Sequence, residues 1–109
     1  MKLTVNPLFE NVLPPLSTDE LAALRESIRA DGCRDAIVTW RGTIIDGHNR
    51  HAICQELGAP FETVEKVFES DSEARLWMRR NQGGRRNLSE AWRIKLQEDS
   101  KADLAQIGK

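Results

Sequence analysis

Only two cysteines, Cys33 and Cys54, occur in the 109 residues, and they lack the spacing of a zinc pair. A reducing compartment argues against a disulfide between them, so both are expected as small buried or half-buried thiols. No apolar run approaches the roughly 20 residues needed to span a bilayer, so no membrane segment is expected. The start, Met1-Lys2-Leu3-Thr4-Val5-Asn6-Pro7, has no apolar core of signal-peptide length. The expected compartment is the cytoplasm. Metal-ligand spacing of the zinc type, a nucleophile elbow, internal repeats and low-complexity tracts are all missing.

What is present is an ordinary globular composition, 39% hydrophobic and 30% charged, at a length that suits one small core. The net charge is only −1, but it is unevenly spread. Residues 1–70 hold 7 basic and 11 acidic side chains, and residues 71–109 hold 9 basic and 6 acidic. Between Arg75 and Lys95, seven cations face Glu90 alone, which makes this the stretch suited to a polyanion.

The pattern of elements predicts an α+β fold: a small mixed β-sheet with packed helices, ending in a C-terminal helix. A short strand is expected near Leu3–Val5, and Pro14-Pro15 then stops regular structure. Ser17-Thr18-Asp19-Glu20 reads as a capping box opening a helix that Gly32 ends. Ala36–Trp40 and Thr43–Ile45 read as a hairpin turning at Arg41-Gly42. A helix from about His48 to Leu57 stops at Gly58. A third strand follows over about 62–68, then a helix from Ser70-Asp71-Ser72 to near Arg80 and a loop at Gly83-Gly84. Asn87 and Ser89 are both candidate caps for a last helix running to about Leu104. That helix is polar over Gln97–Asp103, which reads as an uncovered face. The expected organisation is a functional domain over 1–95, with 96–109 as the end of a helix leading to a domain beyond.

The most informative stretch is Ile44-Ile45-Asp46-Gly47-His48-Asn49-Arg50. A strand ends, an Asp-Gly pair turns the chain, and a helix begins with side chains that suit an anion. Helix N-termini offer free N–H groups and partial positive charge, so this reads as a phosphate site. Gly47 allows close backbone approach, His48 and Asn49 can donate, and Arg50 can give paired hydrogen bonds to a phosphate. Asp46 is the candidate catalytic base or metal-orienting group, with Glu10 a second. The competing reading is a plain Asp-Gly turn with polar helix residues. A second polar edge, Asn81-Gln82-Gly83-Gly84-Arg85-Arg86-Asn87, offers Asn81 to a metal or phosphate oxygen, and Arg85 and Arg86 to charge neutralisation. Its competing reading is a solvated loop. Trp40, Trp77 and Trp92 read as packing residues, and His51 as a helix-surface residue.

Taken in order, these segments resemble the ParB N-terminal domain of the ParB/sulfiredoxin-like superfamily, in the form found in phage and mobile-element proteins. Ser17–Ile28 with Gly32 is similar to its first helix. Gly42–Arg50 is similar to its hairpin and Gly-x-x-Arg phosphate box, and Asn81-Gln82 with Arg85–Ser89 to its third motif. The resemblance spans roughly residues 5–95. It implies a nucleotide cofactor, CTP or ATP with Mg²⁺, with Gly47–Arg50 on the triphosphate and Asn81 near the metal. It also implies a nucleotide-gated switch in a DNA-associated partition or regulatory protein, acting on itself as a homodimer or on DNA. Sequence-specific DNA reading in that family belongs to a following helix-turn-helix domain. Arg79, Arg80, Arg85 and Arg86 are the residues that would meet DNA phosphates.

Three departures bear on activity. The phosphate box has one arginine where partition proteins have two. Arg80 stands where their third motif has a metal-binding Glu, which speaks against CTP hydrolysis. No Cys precedes the His-Arg region as in sulfiredoxins, so that activity is rejected. The Asp-Gly-His-x-Arg form instead looks like branches that include ATP- or ADP-dependent free-serine kinases. That is the alternative reading, with weak NTP turnover left open. A ParB-like nuclease is a minor third, because only Asp46 supplies a carboxylate within the motifs.

Overall fold

In a computed structural model of the chain, the described residues are 3–83 and 89–107, without the side chains of 82 and 83. They divide into two compact units: residues 1–10 with 15–66, and residues 11–14 with 67–109. Among the described residues, no helix is long and apolar enough to cross a membrane.

The first unit begins with α1 (Pro7–Glu10). Asn6 starts this single turn by accepting the Leu8 N–H through Oδ1 at 2.9 Å. The expected strand near Leu3–Val5 is reduced to one parallel bridge, Thr4 to Thr43. Helix α2 (Thr18–Asp31) carries the full capping box. Ser17 Oγ accepts the Glu20 N–H at 3.1 Å, and Glu20 Oε1 accepts the Ser17 N–H at 2.9 Å. Such a cap contributes about 1 kcal/mol.

Strands β1 (Ile37–Trp40) and β2 (Thr43–Asp46) form the hairpin. Its two turn residues, Arg41 and Gly42, both have positive φ, at 53° and 76°. That is the turn whose twist matches a two-residue hairpin. The Arg41 guanidinium lies over the Trp40 ring at 4.8 Å. Strand β3 (Thr63–Glu65) pairs with β1 in parallel, so the sheet is mixed, in the order β2-β1-β3. It is shorter than the expected 62–68, and all three of its residues are exposed. Glu65 ties it to the hairpin by accepting from Thr39 Oγ1 and from the Arg41 N–H, each at 2.9 Å.

The β1–β2 register slips between Val38 and Thr39, placing Asp46 opposite Val38. The bulge explains how Ile44 and Ile45, neighbours in one strand, are both fully buried. It also aims Asp46 and Gly47 at the start of α3 (His48–Leu57), which Gly58 ends in a left-handed conformation. Ile37, Ile44, Ile45 and Trp40 are buried, and Phe9 meets Trp40 edge-on at 6.2 Å. Ile28, Ile53 and Cys54 form a cluster against which Leu24, Cys33, Ala59 and Phe61 pack, joining α2 to α3.

In the second unit, α4 (Asp71–Gly83) runs past the expected end near Arg80 and takes in Gly83. Helix α5 (Glu90–Ile107) starts at Ser89, whose Oγ accepts the Trp92 N–H at 3.3 Å. Asn87 and Gly84 lie outside the described residues. Within the polar stretch 97–103, Gln97, Glu98, Lys101 and Ala102 are exposed, and Asp99, Ser100 and Asp103 turn toward α4. Asp103 is buried and accepts from Arg75 Nη2 at 2.7 Å and from Arg79 Nη2. Arg79 also donates to Ser100 Oγ at 2.9 Å and to the Asp99 carbonyl at 3.3 Å. Burial alone would raise the Asp103 carboxyl, but the two guanidiniums hold it below the usual carboxylate value.

Candidate functional site

The bulged end of β2 and the first turn of α3 bring Asp46, Gly47, His48, Asn49 and Arg50 together, as their proximity in sequence requires. Gly47 occupies the N-cap position with φ +106°, a conformation L side chains rarely adopt. It has no side chain to cap the helix, so the first-turn N–H groups keep their affinity for an anion.

Arg50 does not extend into solvent. Its Nη2 donates to the Ala36 carbonyl at 3.0 Å and lies 3.7 Å from Asp46 Oδ2. The Arg50 side chain is 17% exposed and that of Asp46 11%. Arg50 Nε is buried and has no hydrogen-bond partner among the described residues, and neither has His48 Nε2, an acceptor when the other ring nitrogen carries the proton. An unpaired buried donor on a charged group is costly, and its persistence calls for an acceptor.

Arg50 lines a cavity of about 280 Å³ with Leu24, Ser27, Ile28, Cys33, Arg34 and Asp35. The cavity is at the small end of ligand sites, which run from roughly 300 Å³ upward. The wall has an apolar side from α2, and a polar side from residues 33–35 and Arg50.

Burial pushes the His48 imidazole below its usual pKa, while the Glu10 and Asp46 carboxylates pull in the opposite direction. His48 is therefore a neutral hydrogen-bonding group near neutral pH. His51 is half-buried and meets the Phe61 ring edge-on at 5.3 Å, a packing role. Trp40 is buried, and Trp77 and Trp92 are half-buried. Both cysteines are free, Cys54 buried and Cys33 half-buried.

Asn81 lies in the second unit, half-buried on the last turn of α4. Arg79 is 6% exposed, its guanidinium engaged between α4 and α5 rather than offered to a polyanion. Arg80 is exposed. Arg85 and Arg86 lie outside the described residues. Sequence reasoning did not find Cys33, Arg34, Asp35 and the Ala36 carbonyl as neighbours of Arg50. Their only sequence signal is position, between the stop of α2 and the start of β1.

The structure is similar to a solved structure of a Pnob8-like ParB-N domain in its C2221 crystal form, with a TM-score of 0.79 at 20% identity. The alignment covers 98% of this chain and 44% of that one, so this chain spans less than half the length of the structure it matches. No family model matches the sequence, and no curated protein does. The likeness shows the fold: an α+β domain of the ParB N-terminal type.

Proposed function

We propose that this chain is a ParB-like nucleotide-binding module. It would hold the phosphates of a nucleoside triphosphate, CTP or ATP with Mg²⁺, at the N-terminus of α3. The observation that carries this reading is Arg50, whose guanidinium is anchored at Nη2 and whose buried Nε lacks an acceptor beside the cavity. A phosphate oxygen supplies that acceptor with a charge-assisted bond. The likeness to a ParB-N domain supports a role as a nucleotide-gated switch in a DNA-associated partition or regulatory protein. DNA contact would fall to Arg80, Arg85 and Arg86 and to a further domain. Asn81 is the proposed Mg²⁺-side residue.

One observation favours a second reading. The carboxylates of Glu10 and Asp46 both act on His48, beside the proposed phosphate site. Phosphoryl transfer to a hydroxyl needs a base of this kind, so a small-molecule kinase of the free-serine type is the alternative. Calorimetric titration with CTP, ATP, ADP and GTP, with and without Mg²⁺, tests both readings. Selective CTP binding without turnover supports the switch, and serine-dependent turnover of ATP or ADP supports the kinase. Absence of binding to all four contradicts both.

A further inference from the structure

Cys33 and Cys54 come from separate elements, and Cys33, in the wall of the Arg50 cavity, packs on the core cluster that contains Cys54. Cys33 lies in the coil after α2 and packs on the cluster formed by Ile28, Ile53 and Cys54. Cys54 is on the inner side of α3 and is 1% exposed. Cys33 Sγ donates to the Asp35 carbonyl at 3.5 Å, and its packing on the cluster sets it beside the Cys54 thiol, whose ionisation it disfavours. Their access differs. Cys33 is half-buried and forms part of the cavity wall. Burial and the neighbouring Cys33 push the Cys54 thiol up to about 11, so Cys54 is a poor first target for an oxidant.

We propose that Cys33 and Cys54 form a reversible intramolecular disulfide that reshapes the Arg50 cavity and gates what binds there. The gating of a nucleotide rests on the function proposed above; the bridge itself does not. The co-reactant is a hydroperoxide. The Cys33 thiolate attacks its terminal oxygen, the O–O bond breaks, and water or an alcohol leaves, with Cys33 now a sulfenic acid. Cys54 then releases its proton and attacks the Cys33 sulfur. The S–S bond forms as the S–O bond breaks, and the departing hydroxide takes that proton as water. The two thiols lose two electrons in total, and a small dithiol reverses the step by exchange.

The consequence follows from position. A disulfide holds its sulfurs at about 2 Å, closer than packed thiols come, so residues 33–35 are drawn toward α3. This coil supplies Cys33, Arg34 and Asp35 to the wall and leads into Ala36, whose carbonyl holds Arg50. Gly32, at the head of this coil, has φ +81°, and a Cβ there would meet no atom within 4 Å.

The test treats the full chain with hydrogen peroxide, then with dithiothreitol. It reads intact mass, a non-reducing peptide map, amide hydrogen exchange over 32–37, and CTP and ATP affinity with Mg²⁺. The expected oxidised form has lost two hydrogens, links the Cys33 and Cys54 peptides and shows altered exchange over 32–37. Its nucleotide affinity is expected to fall about tenfold, the size of one displaced charge-assisted contact. Dithiothreitol restores every reading. Cys54→Ser is expected to stop at a dimedone-reactive Cys33 with no bridge. Oxidation of Cys33 to sulfinic acid without a bridge overturns the proposal, as does a bridge that leaves exchange over 32–37 unchanged. If the reduced chain binds no nucleotide, the proposed function fails, and mass and exchange alone still decide the bridge.

Discussion

Gly47 and Arg50 are packed so closely that a Cβ at position 47 would displace the guanidinium: it would lie 2.9 Å from Arg50 Nη2 and 3.2 Å from Ile37 Cγ1. The glycine serves both the turn and the seating of the arginine. Gly47→Ala should cost about 1–2 kcal/mol from the left-handed conformation alone. It should also push Arg50 off the Ala36 carbonyl. Thermal unfolding and nucleotide titration of the variant check both effects, and a variant as stable and as tight-binding as the natural chain would show that the contact is dispensable.

Arg50 should matter more to binding than to stability. Arg50→Met keeps much of the volume; the lost bond to the Ala36 carbonyl is offset by removal of the buried Nε donor, which has no partner among the described residues. Nucleotide affinity should then fall by about tenfold to a hundredfold, while stability changes by less than about 1 kcal/mol. Chemical denaturation beside calorimetry measures the two together. A large loss of stability would make Arg50 a structural residue.

Asp103 should hold the second unit together. Asp103→Ala leaves Arg79 buried and unpaired, at a cost of about 3–5 kcal/mol. The charge on Asp103 stabilises at pH values above its unfolded pKa, about 3.9, and that stability is lost as pH falls toward its lower folded value. Denaturation of wild type and variant between pH 2 and 7 (on the order of the carboxylate range) should show their difference shrinking at the acid end.

His48 runs the other way. Its folded pKa is below the unfolded value, so the unfolded chain binds its proton first as pH falls. Stability should therefore be unaffected by His48 above pH of about 6.5 and should decline below it, toward the folded value. His48→Asn should flatten that part of the profile. An unchanged profile would mean that His48 is not desolvated in the folded chain.

Much of this was legible in the sequence, where local chemistry decides. The capping box at Ser17, the positive-φ turn at Arg41-Gly42 and the glycine stop at Gly58 each act within a few residues. What was not legible depends on partners far along the chain. The β1–β2 bulge buries both Ile44 and Ile45, whereas strict alternation sends them to opposite faces. Helix α1 is a single turn set by Asn6, too short for a helical period to show. Asp103, within the stretch 97–103, was not legible as buried because its carboxylate pairs with arginines more than twenty residues earlier, as the 24-residue separation of Arg79 and Asp103 shows. In hindsight the signal was complementary spacing: Arg75 and Arg79 four apart on one helix, Ser100 and Asp103 three apart on the other. Arg50 stood out in the sequence as the first-turn arginine of α3, but its anchoring on the Ala36 carbonyl did not.

The most direct test of the account is the Nε–Hε resonance of Arg50 in a ¹⁵N-labelled chain, assigned with Arg50→Lys and followed during titration with CTP or ATP and Mg²⁺. The expected result is a downfield shift and slowed solvent exchange of that one signal as nucleotide binds, reporting a phosphate oxygen on the buried donor. Nucleotide binding that leaves the Arg50 Nε–Hε signal in place would contradict the assignment of the phosphate site to the start of α3.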